Sequence, residues 1–319
     1  MGLEMQKVSV VLTCYNGARW ISAATESILA QTYKNFELVV IDDGSTDNSK
    51  EIVSSYLCDE RVRYIYQENR GFSAAVNRGI KEGKGDLIGF VGQDDLWLHN
   101  KLEVQVKYLN EHEDVDVFHS NYCFINSEGK IIKVRDIKIP SFSSRKKLIE
   151  YLFLNNFMGF ETVLAKKKCF DEVGFFDERM VAFSDHDIWL RIAGKFNIAY
   201  IDLPLVKKRE HELQLSKTGI ERGLKDKFLM VNKAIHQYPF LKKVERKKLA
   251  SLYYTLGTVM LQKGDNKKAK QEFLKSFRLR PWKFKAVIAS ISPTLYRILW
   301  ERYLQFGSKL HRGMRWVES

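Results

Sequence analysis

VSVVLTCYNGARWISAATESILAQTYKNFELVVIDDGS, residues 8–45, holds two short β-branched apolar runs, VSVVLT (8–13) and FELVVI (36–41), around an amphipathic stretch at Trp20, Ile21, Ile28 and Leu29. A strand buried on both faces reads as a continuous apolar run, and a helix packed against it shows one apolar stripe, so the pattern is strand, helix, parallel strand. The unit repeats. VRYIYQ (62–67) and DLIGFV (86–91) read as further strands, with helical stretches near 46–57 and 74–82, the first opened by the capping residues of DGSTDNS. This alternation predicts an α/β fold with a mostly parallel, Rossmann-like sheet flanked by helices.

Beyond a helix near 100–111, VDVFHS (115–120) reads as another strand, and 145–157 as a helix leading into ETVLAKK. FSDHDIWLRIA (183–193) opens a helix with Asp185 and Asp187 at its N-terminal end, where the helix dipole favours negative charge. From about residue 205 the pattern changes to helices only, rich in lysine, which predicts an all-α C-terminal region. The expected division is an α/β domain over 1–216 and a basic helical region over 217–319. Tyr253, Leu256, Gly257, Ala269, Phe273 and Pro281 lie at the spacing of one tetratricopeptide unit, predicting a helical hairpin at 253–281.

The formal charge of +13 is uneven: residues 205–319 carry 27 Lys+Arg against 9 Asp+Glu, and residues 1–204 carry 25 against 30. Such a basic tail can meet nucleic acid, an anionic membrane surface or an acidic polymer. No helix-turn-helix, ribonucleoprotein sheet motif or zinc finger accompanies it, so nucleic acid is not expected as a partner. Cys14, Cys58, Cys123 and Cys169 show neither a CxxC pair nor a metal-ligand spacing and read as reduced thiols. No apolar run is long enough for a signal peptide or a spanning helix, which predicts a cytoplasmic protein.

Ligands of doubly wound sheets bind beyond the carboxyl ends of the strands. There the chain places TCYNG (13–17), DDGS (42–45), ENRG (68–71) and GQDD (92–95), four polar clusters expected to share one crevice. In GFVGQDDLW (89–97), Asp94 and Asp95 close an apolar strand with no basic residue beside them. Alone, such a pair is often a helix cap and a solvated turn. In a crevice, carboxylates suit Mn²⁺ or Mg²⁺, which neutralises the pyrophosphate of a nucleoside diphosphate.

VSVVLTCYNGARWISAATESILAQTYKNFELVVIDDGSTDNS, then ENRGFSAAVNRGI, then FVGQDDLW, resembles the family 2 glycosyltransferases of the GT-A fold over roughly residues 5–216. The resemblance implies an inverting transfer of a sugar from a nucleotide-diphosphate donor, UDP- or dTDP-linked, to a hydroxyl of a saccharide or lipid-linked saccharide, in bacterial surface-polysaccharide assembly. It implies that Thr13, Tyr15, Asn16 and Asn69 line the nucleotide-sugar pocket and that Asp43 accepts a hydrogen bond from the base. It gives Asp95 to the metal and Asp94 to a ribose or bridging contact. The segment SDHDIW (184–189) stands where the family has E-D-x-D-L-W, so Asp185 takes the place of the catalytic base, and KREHELQLS (208–216) brings His211 to the metal or pyrophosphate. An inverting transfer needs one such carboxylate to take the acceptor proton.

Two departures stand out: Gly92 occupies the position of a usual Asp and Ser184 that of a usual Glu. They keep open two rivals, a sugar transfer to polyprenyl phosphate, which needs no strong base, and a non-catalytic nucleotide-binding docking protein. The segment 282–316 intersperses Trp282, Trp300, Tyr303, Phe306 and Trp316 with Lys and Arg, the composition of a helix lying on anionic lipid, which predicts peripheral attachment to the inner face of the cell membrane.

Overall fold

The computed structural model describes residues 6–212, 214, 220–281 and 292. They fall into two compact units that divide between Gly219 and Ile220.

The first unit opens with β1 (Val8–Cys14), α1 (Ile21–Leu29), β2 (Phe36–Asp43), α2 (Ser49–Ser54), β3 (Val62–Gln67), α3 (Phe72–Glu82) and β4 (Leu87–Gly92). Strand β1 pairs in parallel with β2 from Val8↔Phe36 to Cys14↔Asp42, and with β4 from Val8↔Leu87 to Thr13↔Gly92. All seven of its residues are buried, as expected of a strand covered on both faces. Helix α3 lies very close to it: a Cβ at Gly79 would sit 2.2 Å from Val11 Cγ1, so only glycine fits there. β2 lies on one side of β1 and β4 on the other. The chain therefore reverses its winding direction at β1, and such a reversal places a crevice beyond the ends of β1 and β4.

The second half of the sheet is mixed. It comprises β5 (Leu96–Trp97), α4 (Lys101–Glu111), β6 (Val117–Ile125), β7 (Ile131–Val134), α5 (Arg145–Leu154), β8 (Val163–Lys166), α6 (Lys168–Val173), α7 (Ser184–Ala193) and β9 (Ile198–Arg209). The strand order is β3-β2-β1-β4-β8-β6-β9-β5, with β7 on β6; β8 runs antiparallel to β4 and β6, and β5 antiparallel to β9. One expectation is corrected here. Residues 205–209 are not helical but end the twelve-residue strand β9, and pairing Lys207 with Leu96 and Val206 with Trp97 brings KREH back to the acidic turn. Helix α5 also ends at Leu154, earlier than the sequence suggests, and leaves 155–159 as an irregular approach to a 3-10 turn at Phe160–Thr162.

Among the described residues, the second unit holds α8 (Ile220–Gln237), α9 (Lys242–Gln262) and α10 (Asn266–Leu279). Helices α9 and α10 form a hairpin in which a Cβ at Gly257 would lie 2.7 Å from the Phe273 ring. Asp265 caps α10, its side chain accepting from Lys268 N. Among the described residues no helix is long and apolar enough to cross a membrane. The expected lipid-facing segment, 282–316, lies outside the described residues apart from Ser292.

Candidate active site

The crevice floor is built by cross-bonded turns. Asn16 has φ 51°, a left-handed conformation that asparagine tolerates better than most residues. Its amide donates to Ser45 Oγ (2.9 Å), and its Oδ1 accepts from Thr46 N (2.8 Å). Gly17 N donates to Ser49 Oγ (2.9 Å) and Ala18 N to Asp47 Oδ2 (3.0 Å). DGSTDNS is therefore more than a cap: its side chains hold the loop after β1. Thr13 is buried at the end of β1, while Tyr15 is 50% exposed and borders the opening. Gln93 grips Tyr15 from the acidic turn, accepting from its N–H (2.7 Å) and donating to its carbonyl (3.1 Å).

Asp43 is buried and heavily engaged. Its Oδ1 accepts from Gln67 Nε2 (2.7 Å) and Arg70 N (2.9 Å), and its Oδ2 from Gly71 N (2.8 Å). These bonds fix the loop carrying the exposed Asn69 and leave acceptor capacity on Oδ2 for one further donor. Asp42 ties Ser45 N (2.8 Å) and the Tyr64 hydroxyl (2.5 Å).

The two acids of the turn have different surroundings. Asp94 Oδ2 lies 2.8 Å from His211 Nε2, and the two side chains are 22% and 11% exposed. The His211 ring packs on Trp20 with centroids 4.2 Å apart, and its buried Nδ1 has no hydrogen-bond partner. Asp95 is 2% exposed, and its Oδ1 accepts from Arg209 N (2.8 Å). Burial, then the charges of Glu161 and Asp94, push its carboxyl well above the usual range. Asp94, expected at a ribose or bridging contact, is thus the acid that meets His211, while Asp95, expected at the metal, lies buried on Arg209 N. Arg209 clamps the turn, its Nε donating to Asp94 O (2.9 Å) and its Nη1 to Asn126 O and Ser127 O (3.0 and 2.9 Å).

Asp185 stands in the first turn of α7, half-buried. Its Oδ1 accepts from His186 N (2.8 Å) and its Oδ2 from Asn156 Nδ2 (3.0 Å). Desolvation raises its pKa to about 6; Glu161 adds to the rise, while the Asn156 hydrogen bond and Lys208 oppose it. Asp187 instead pairs with Arg191 (2.9 Å), whose guanidinium also holds the carbonyls of Val173, Gly174 and Phe175. Ser184 is buried and accepts from Ser73 Oγ (2.9 Å).

Gln93, Asn156, Glu161, Lys208 and Arg209 thus join the residues expected from the sequence. Trp97 and Glu161 show how far apart the parts lie in the chain: Trp97 Nε1 donates to Glu161 O (3.1 Å) across 64 residues. In sequence, GQDD and KREH offered Gln93, Lys208 and Arg209 as neighbours of the expected residues. The stretch from Asn156 to Glu161 offered only a loose pattern, read as lining an acceptor pocket.

The matched profile is that of Glycosyl transferase family 2, over residues 9–174. The chain belongs to this family. An uncharacterised glycosyltransferase of Rickettsia typhi is 33% identical over 218 residues, covering 67% of each chain. Another, of Methanocaldococcus jannaschii, is 31% identical and covers 65% of this chain and 72% of its own. Some matches are partial: a Rickettsia felis relative, 37% identical, is spanned over only 33% of its length. Among solved structures, Staphylococcus aureus TarS 1-349 in complex with UDP-GlcNAc superimposes with a TM-score of 0.62 at 17% identity, covering 94% of this chain and 92% of that one. Mannosyltransferase PcManGT from Pyrobaculum calidifontis, in complex with GDP-Man and Mn²⁺, gives 0.58 at 18%, covering 96% and 81%. The family 2 chain is a sugar transferase with the GT-A architecture.

Proposed function

We propose that the protein transfers a sugar, with inversion, from a UDP- or dTDP-linked donor to a hydroxyl of a saccharide or lipid-linked saccharide in bacterial surface-polysaccharide assembly. The observation that carries the reading is Asp185, a half-buried carboxylate with a pKa near 6, held by Asn156 at the head of α7. A general base works best with a pKa near the operating pH. Asp185 takes the proton of the acceptor hydroxyl as that oxygen bonds to the anomeric carbon. The bond to the diphosphate breaks on the opposite face, and no covalent enzyme intermediate forms. A polyprenyl-phosphate acceptor, already ionised, would need no such base.

Thr13, Tyr15, Asn16 and Asn69 border the donor, and the remaining acceptor capacity of Asp43 Oδ2 is directed to the base. Asp94 and His211 are assigned to Mn²⁺ or Mg²⁺. One carboxylate, one imidazole and the donor's own phosphate oxygens make a donor set such ions accept, and the unpartnered Nδ1 marks a ring placed by packing. The ion supplies neutralisation of the departing diphosphate. Among the described residues no cluster of three or more His, Cys, Asp or Glu could hold an ion without substrate. The α9–α10 hairpin is read as one tetratricopeptide-like unit, and the exposed Lys242, Lys243, Arg246, Lys247, Lys267 and Lys270 as a face that supports the basic tail at an anionic membrane.

The test is turnover against donor binding in Asp185→Asn. A hydroxyl acceptor requires turnover to fall about 10²- to 10⁴-fold with donor affinity retained. Near-normal turnover would exclude Asp185 as the base and favour an ionised acceptor.

A further inference from the structure

One short segment joins two places in the site. Residues 155–162 leave α5 and enter β8; Asn156, near one end, donates to Asp185 Oδ2 (3.0 Å), and Glu161, near the other, binds Lys208 Nζ through both oxygens (3.0 and 3.1 Å). The Glu161 end is anchored further by Trp97 Nε1 on Glu161 O (3.1 Å) and Gln105 Nε2 on Thr162 O (2.8 Å). Glu161 is 8% exposed. An ion pair there needs a function to offset desolvation, because a well-packed apolar pair is often as stable.

The geometry points to Glu161 and Lys208 as a pair of positioning residues that fix the segment bearing Asn156 and balance the charge seen by Asp185. This extends the proposal that Asp185 is the base. Among the described residues, the groups that act on Asp185 include Asn156 and Glu161 from the segment, Lys208 from β9, and the backbone N–H of His186 from its own helix. Of these, His186 gives its Nε2 to Leu152 O (2.7 Å), which leaves Glu161 and Lys208 as the opposed charges. Burial works against ionising Glu161, and Lys208 overcomes it, holding the carboxyl below its ordinary range. Burial likewise works against charging Lys208, and Glu161 with Asp95 raises it above its ordinary range. Two fixed and opposite charges therefore act on one titrating carboxyl.

Glu161→Gln keeps the shape of the side chain and removes the anion. The titration of Asp185, read from the ¹³C signal of its labelled side-chain carboxyl, is then expected to fall by roughly 1 pH unit, and the acid limb of kcat with it. Glu161→Gln/Lys208→Met removes both charges and is expected to return both readouts toward the wild-type position. It also guards against misreading damage done by an unpaired buried lysine. Thermal unfolding of each variant checks that it folds. A purely structural pair would leave the titration unmoved in a folded Glu161→Gln protein, and that result overturns the inference. If the carboxyl signal moves and the kcat limb does not, the charge coupling stands and the base assignment of Asp185 fails.

Discussion

Asp185→Asn should cost activity and add stability, and the second effect follows from the same environment as the first. Desolvation raises the folded-state pKa of Asp185 from 3.8 to about 6. Between these values the native state binds more protons than the unfolded one, so stability falls as pH rises through the window and the full penalty is present above it. Two pH units correspond to a ceiling of about 3 kcal/mol. Asp185 is half-buried, and solvent screening reduces this to about 1–2 kcal/mol. Asparagine carries no charge and keeps one acceptor oxygen for the two donors, His186 N and Asn156 Nδ2, as the protonated acid does, so at pH 8 the variant should melt roughly 2–6 °C higher in the transition of the first unit. At pH 4 the difference should vanish, since the wild-type carboxyl is then protonated in the native state. Calorimetric melting at both pH values is the assay. A variant that is equally stabilised at pH 4 and pH 8, or destabilised at pH 8, would refute a base held under a desolvation penalty.

His119→Phe should stabilise the first unit by about 1–3 kcal/mol, because both ring nitrogens of this buried side chain lack hydrogen-bond partners. Burial holds its pKa down at about 3, so the gain should grow as pH falls below about 6.5; a lower melting temperature would mean that the imidazole makes a needed contact. Gly92→Ala places a Cβ 2.9 Å from Asp94 Oδ1, so the carboxylate must turn, and metal-dependent nucleotide affinity should drop about 5- to 20-fold with metal-free binding little changed. Isothermal titration with and without Mn²⁺ checks this, and an unchanged metal effect would dissociate Asp94 from the ion.

Strands β1 to β4 were legible because each is a dense apolar run, and the crevice followed from the polar turns at their ends. β9 was not. It carries Asp202, Pro204 and three consecutive basic residues, and most of it is only partly buried, so it lacks both the apolar run and the clean alternation that mark a strand. With β9 missed, the route by which Lys208 and Arg209 reach Asp95, and by which His211 comes to lie beside Asp94, was invisible. Asn156 stood in a segment read as helix. The pairing of Glu161 with Lys208 spans 47 residues and depends on the antiparallel placement of β8, which no local pattern encodes. Asp94 and Asp95 look alike in sequence, and only burial beside Glu161 separates their surroundings.

A metal-assisted nucleotide site at Asp94 and His211 stands or falls on calorimetric binding of UDP, dTDP, GDP and CMP, each with and without Mn²⁺. Binding of UDP or dTDP that tightens with Mn²⁺, and loses that tightening in His211→Ala, is the expected result. Binding of none of the four, or binding indifferent to Mn²⁺ in both proteins, would contradict it.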